Sequence, residues 1–230
     1  CLSDCFPSQQ PHRSRTESDK LDRPLTAYPF VPSAHSDLRA RCAEIFDIQT
    51  AALVKRLEHI ECTSVVLGLS GGLDSTLALL VALQAFEKLD LNKAGVHCYT
   101  LPGFGTSKRT RQNVETLCEQ LGLTLKTVDI RAACRQQLDD LEHSGEPADV
   151  TYENVQARQR TQFLMNKANQ VGGIVVGTGD LSELALGWCT YNGDHMSMYA
   201  VNAGIPKTLV RFMVQFVAEH VWQGEVGQTL

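Results

Sequence analysis

The chain has 230 residues, of which 43% are hydrophobic and 20% charged, and carries a net charge of −5. This is the size and composition of one α/β domain plus an appendage, and the acidic balance offers no basic footprint for DNA or tRNA. No apolar run approaches a membrane span, and no charged-then-apolar signal pattern opens the chain. None of the eight cysteines stands in C-x-x-C spacing, which argues against a zinc site or a redox pair and for reduced thiols in a cytoplasmic protein.

Residues 1–35 are rich in Ser, Pro, Gln, Arg and Asp and lack periodicity, as a linker does. From Ser36 a helix is predicted, with Ile45, Phe46, Leu53, Leu57 and Ile60 at helical spacing, ending before Cys62. A buried strand follows over 65–69, then a helix over 73–86 that is apolar nearly all round. A second strand covers 94–99. A loop over 101–106 leads to Ser107, a predicted N-cap for a helix that runs to Leu121 and stops at Gly122. A third strand covers 123–130, a helix 131–141, and a long helix 151–171. The fourth strand is 173–177, followed by a short helix over 181–187. A loop then runs on to a last helix, from Lys207 to Val221. Strands and helices in alternation predict a doubly wound α/β fold: a parallel sheet with helices on both faces, Rossmann-like, over 36–230. Ligands of such sheets lie at the carboxyl ends of the strands.

The turn Ser70-Gly71-Gly72 joins the first strand to the first helix of that alternation. Its glycines allow a sharp corner and close approach of a ligand to the backbone. The helix it opens presents unpaired N–H groups and a positive dipole end, which suits a pyrophosphate. No Lys-Ser/Thr follows as in a Walker loop, and no G-x-G-x-x-G is present. Two glycines alone would be an ordinary strand–helix turn. The order Ser70-Gly71-Gly72-Leu73-Asp74-Ser75 is more specific and resembles the pyrophosphate loop of N-type ATP pyrophosphatases. Ser70, Ser75 and Thr76 supply hydroxyls, and Asp74 supplies a hard oxygen ligand for Mg²⁺.

Gly177-Thr178-Gly179-Asp180-Leu181-Ser182-Glu183 follows the fourth strand directly. Thr178 is positioned for a nucleotide, and Glu183 can meet Mg²⁺ together with Asp74. Asp180 and Ser182 read as helix caps. Asn154 and Arg158 share one face of the long helix; taken alone, such a pair is an ordinary solvated face. The run from Gly187 to Tyr199 is aromatic and polar, and Trp188 in it can stack on a flat heterocycle. Cys189 reads as a spacer, because no activating base is identifiable.

Five segments occur in order: Ser-Gly-Gly-Leu-Asp-Ser-Thr, Tyr-Glu-Asn-Val-Gln-Ala-Arg, Gly-Thr-Gly-Asp-Leu-Ser-Glu-Leu-Ala-Leu-Gly-Trp, Tyr-Asn-Gly-Asp-His-Met-Ser and Pro-Lys-Thr-Leu. Together they resemble the synthetase domain of glutamine-dependent NAD synthetases over about residues 30 to 215, most specifically over 177–209. The resemblance implies amidation of deamido-NAD to NAD through an acyl-adenylate, with ATP, Mg²⁺ and ammonia. It implies that Gly68, Leu69, Ser70, Gly71, Gly72, Leu73, Asp74, Ser75 and Thr178 hold ATP. Asn154, Arg158, Glu183, Trp188, Cys189, Thr190 and Tyr191 would contact deamido-NAD. Asp74 and Lys207 would be catalytic, with Lys207 on the phosphates and Asp74 and Glu183 on the metal. Asp194 belongs to the matched segment without an assigned role. Ammonia-dependent relatives carry Lys where this chain has Tyr191, which favours the glutamine-dependent branch. The glutaminase domain of that branch, which supplies its ammonia, is absent from this sequence. The chain also stops short of the family's usual end, so a truncated domain is expected, and a homo-oligomer with it. Alternatives are a nucleotide-binding module without turnover and another pyrophosphate-loop amidotransferase such as GMP or asparagine synthetase. A tRNA thiolase would need a basic surface and a reactive cysteine pair.

Overall fold

The computed structural model describes residues 25–26, 28–32, 35–105 and 108–222; residues 1–24 of the expected linker and the expected cap Ser107 lie outside the described residues. The elements are α1 (His35–His59), β1 (Val65–Gly68), α2 (Leu73–Lys88), β2 (Val96–Thr100), α3 (Lys108–Gln120), β3 (Leu125–Thr127), α4 (Arg131–Asp140), α5 (Val150–Val171), β4 (Ile174–Gly177), α6 (Leu181–Leu186), β5 (Tyr199–Ala200) and α7 (Lys207–His220).

The strands form one sheet in the order β3-β2-β1-β4-β5, and every neighbouring pair is parallel. Successive side chains of a strand face opposite sides, and the core divides accordingly. Val65 and Leu67 of β1, with Ile174 and Val176 of β4, pack against α1, α2, α3 and α7. Val66 and Val175 point the other way, into a smaller cluster with Cys134 and Leu138 of α4 and Val155 and Ala168 of α5. The expected two-faced α/β architecture is therefore present. Helix α2 lies between the sheet and α1 and α7, which is why Leu77 through Ala82 are completely buried.

Three expectations are corrected. The strand expected over 123–130 shrinks to three residues, because Thr127 pairs with Thr100 and β2 ends there, leaving nothing further to pair with. The strand expected from 94 starts at Val96. Before it, Lys93–Gly95 forms a 3-10 turn capped by Asn92, whose Oδ1 accepts from the Ala94 N–H at 2.9 Å. A fifth strand, Tyr199–Ala200, pairs with Val176 and Gly177 inside the stretch expected to be loop. Two residues are too few to carry a period-2 signal.

Chain order in the sheet runs outward from β1 in one direction and then restarts at β4 in the other. The crevice at such a reversal, outside the carboxyl ends of the strands, is where open α/β sheets receive ligands.

Candidate active site

The glycine corner sits at the end of β1. Gly71 has φ +82°, the left-handed region that glycine tolerates without penalty. Gly72 is the N-cap of α2, and no side chain caps that helix, so its first-turn N–H groups stay available to an anion. The hydroxyls are spent on shaping the turn: Ser75 Oγ donates to Gly72 O at 2.9 Å, Thr76 Oγ1 donates to the same carbonyl at 3.1 Å, and Ser70 Oγ accepts from the Gly72 N–H at 3.3 Å. A cleft of about 320 Å³ opens there, walled by Gly68, Ser70 and Asp74 on one side and by Gly177, Thr178 and Arg160 on others. Ser70, Asp74 and Ser75 therefore face one space with the turn after β4.

At the floor of the cleft three carboxylates converge. Asp74, Asp180 and Glu183 each offer an oxygen within 4.8 Å of the others. Lys207, the first residue of α7, brings its Nζ to 2.6 Å from Asp74 Oδ2 and to 3.1 Å from both Asp180 Oδ2 and Glu183 Oε1. Burial works against the ammonium, but these contacts more than offset it and hold the Lys207 pKa above the usual lysine value. Burial raises the Asp74 pKa; Lys207 opposes that shift, while the charges of Glu183 and Asp180 add to it. Asp74 Oδ1 is buried with no hydrogen-bond partner. An orphaned acceptor among clustered hard oxygens fits a divalent cation.

Asp180 and Glu183 are held by a capping box at the start of α6. Glu183 N–H donates to Asp180 Oδ1 at 2.9 Å, and Asp180 N–H donates to Glu183 Oε2 at 3.1 Å. Asp180 is thus the predicted cap and also a member of the acidic cluster. The cap pattern Asp-x-x-Glu accounts for its residue type so completely that it hid the second role. The expected cap Ser182 instead accepts from the Lys207 backbone N–H at 3.0 Å, docking α7 onto α6.

A second cavity of about 430 Å³ adjoins the first, and Gly179, Glu183 and Asp194 line both. Asn154, Trp188, Cys189 and Thr190 also line it. Asn154 Oδ1 accepts from Thr190 Oγ1 at 2.8 Å, tying α5 to the aromatic loop. The loop is further held by Thr161 Oγ1, which donates to Gly193 O at 2.8 Å, and by Met198 N–H, which donates to Val175 O at 3.0 Å. Trp188 is 80% exposed and Tyr191 74%. Arg158 does not line either cavity; its Nε donates to Tyr191 O at 3.1 Å. Leu73, Gly71 and Gly72 line a separate hollow on the α3 side of the corner.

Arg160 and Asp194 face each other at 3.6 Å in the wall of the first cavity. Arg160 carries no signal of its own in the sequence, since Arg158 two residues earlier fits a polar helix face equally well.

Fold and cleft define an α/β protein with a crevice and an acidic cluster at its topological switch point. Comparison with known proteins makes this particular. The NAD synthase family model matches residues 45–221, and the chain belongs to that family. It is 47% identical over 216 residues to the glutamine-dependent NAD(+) synthetase of Mycobacterium leprae, a match covering 91% of this chain and 32% of that protein. It is 45% identical over 213 residues to the same enzyme of Mycobacterium tuberculosis strain H37Rv, covering 90% and 31%. The chain thus spans about a third of the length of these relatives. Among solved structures, glutamine-dependent NAD+ synthetase from Acinetobacter baumannii in complex with ADP superposes with a TM-score of 0.74 at 31% identity, covering 80% of this chain and 34% of that one.

Proposed function

We propose that this chain is the synthetase unit of a glutamine-dependent NAD synthetase, with residues 36–230 converting deamido-NAD to NAD at the expense of ATP. The observation that carries the reading is the pair of adjoining cavities. One is bordered by Ser70, Asp74 and Ser75 around the start of α2 and the other by an aromatic loop, with Glu183 and Asp194 shared between them. That layout suits a reaction between a nucleoside triphosphate and a dinucleotide. Gly68, Leu69, Ser70, Asp74, Ser75 and Thr178 line the proposed ATP side, and Asn154, Trp188, Cys189 and Thr190 the proposed deamido-NAD side.

An oxygen of the nicotinate carboxylate attacks the α-phosphorus of ATP, the bond to the bridging oxygen breaks, and pyrophosphate leaves toward the α2 N-terminus. Ammonia then attacks the acyl carbon and gives up a proton, and the acyl–oxygen bond breaks to release AMP and NAD. The protein's contribution is to align the reactants and to balance charge as it develops. Lys207 neutralises the departing phosphates. Magnesium, held by Asp74, Asp180 and Glu183, would supply further neutralisation of phosphate charge. The intact protein's glutaminase supplies the ammonia. A cytoplasmic location is part of the proposal, supported by the six free cysteines among the described residues. A homo-oligomer is part of it too, supported by exposed Leu184, Leu186 and Trp188 beside the second cavity.

The test is formation of AMP and NAD from deamido-NAD, ATP and ammonium, with glutamine in parallel. Weak turnover with ammonium and none with glutamine are expected. Asp74→Ala should abolish it, a loss on the order of 2–4 kcal/mol or more in transition-state stabilisation. AMP production undiminished in that variant would refute the assignment.

A further inference from the structure

Between β5 and α7 the chain buries a carboxamide. Asn202 is 0% exposed. Its Nδ2 donates to the backbone carbonyls of Asp74 at 2.9 Å and Thr178 at 3.3 Å, and its Oδ1 accepts from Gln49 Nε2 at 3.1 Å. Carbonyls only accept, so the amide orientation is forced. Gln49 Nε2 also donates to Val201 O at 2.8 Å, and the main-chain carbonyl of Asn202 accepts from the Ile205 N–H at 2.9 Å. Ile205 O in turn accepts from the N–H of Leu181, the first residue of α6, at 2.9 Å.

The location of this amide matters. β1 and β4 pair only at Val65↔Ile174 and Val66↔Val175. Past those two rungs the strands have no ladder between them, yet they must deliver Asp74 and Thr178 to one cleft. Asn202 spans that gap. Gln49 leaves its Oε1 buried without a hydrogen bond. A leucine there would bury no orphan, so the amide argues for the bond to Asn202 rather than for packing.

We infer that Asn202, oriented by Gln49, is a positioning residue: it sets the spacing between the Asp74 turn and the Thr178 turn and so aligns the metal–nucleotide complex in the cleft. This rests on the ATP-binding reading proposed above. Neither residue touches substrate; both act through the main chain of the two turns.

The experiment uses Asn202→Ala and Gln49→Leu in the 230-residue chain, with amide hydrogen exchange of the free protein and separate titrations with MgATP and deamido-NAD. For Asn202→Ala, exchange in peptides covering 70–76 and 178–183 should quicken about tenfold, as expected for one or two lost hydrogen bonds, with β1 and β2 peptides unchanged. MgATP should bind on the order of tenfold more weakly and deamido-NAD by a clearly smaller factor, since Asp74 and Thr178 line only the first cavity while Gly179 and Glu183 border both. Gln49→Leu should move the same readouts in the same direction by less. Unaltered exchange in both turns overturns the inference, as does parallel weakening of both ligands, which general loosening would give. If Asn202→Ala exchanges everywhere, the Gln49→Leu pattern in the two turns decides. A parent chain that takes up no ATP would refute the nucleotide reading, and the exchange result would still decide whether Asn202 holds the turns.

Discussion

Replacing Lys207 by Met removes the cation that, among the described residues, lies against Asp74, Asp180 and Glu183. Two unit charges at the 4.8 Å limit of that cluster repel by about 3 to 4 kcal/mol at an effective dielectric near 20. Water relieves part of this, because the Lys207 side chain is half exposed and Asp74 and Glu183 are partly so. It does not reach Asp180, which is fully buried. The net cost therefore falls between the ~0–1 kcal/mol of an exposed pair and the ~3–5 kcal/mol of a broken buried one, and about 2 kcal/mol is expected. For a domain of this size that lowers Tm by about 4–8 °C. The assay is thermal unfolding of parent and Lys207→Met, first in chelator and then in excess magnesium. With the ammonium gone the cluster has no internal competitor for a cation, so magnesium should raise the Tm of the variant more than that of the parent. If the variant melts within about one degree of the parent in chelator, the ion-pair reasoning is refuted. Equal magnesium shifts in both proteins would refute the competition.

Gly177→Ala would drive a methyl into Ser197 Oγ, with its carbon 2.6 Å from Ser197 Cβ. It should destabilise by about 1–3 kcal/mol and loosen the loop over the site, and adding Ser197→Gly should restore most of the loss in denaturant titration. Burial pushes the Cys42 thiol up to about 11, above the ordinary thiol value. The folded state therefore keeps its proton while the unfolded chain loses it, so stability falls as pH rises from about 9 to about 11; Cys42→Ala should flatten that slope in unfolding measured across the range. In the same range, alkylation mapped by peptide mass should reach Cys189, which is partly exposed, well before Cys42.

The fold was legible where patterns are long. The apolar run of α2, the length of α5 and the Gly-Gly turn each carry their own signal, and together they imply a parallel sheet. β5 was not legible, since its two residues are recruited by Val176 and Gly177 rather than by any pattern of their own. In the site, Asp74, Thr178, Glu183 and Lys207 come together as the spacing and the family resemblance suggested, because each opens or closes an element at the same sheet edge. Asp180 was hidden behind its capping role, and Asn202 behind a loop: a buried amide that bonds main-chain carbonyls from two other segments leaves no local trace. Arg158 shows the reverse case, a residue singled out from sequence whose guanidinium is engaged by the Tyr191 carbonyl.

The sheet order has a consequence for how the molecule is built. β1, β2 and β3 are contiguous both along the chain and across the sheet, so the first half can assemble as it emerges from the ribosome. The partner of Val65 and Val66 on the other side is β4, made more than a hundred residues later. Until then β1 is an unprotected border, and an apolar one, open to pairing with a stranger. Closing that border and completing the acidic cluster are one event, since both await the stretch from Ile174 onward. The stretch that covers β1 is therefore also the one that brings in the remaining carboxylates of the cluster.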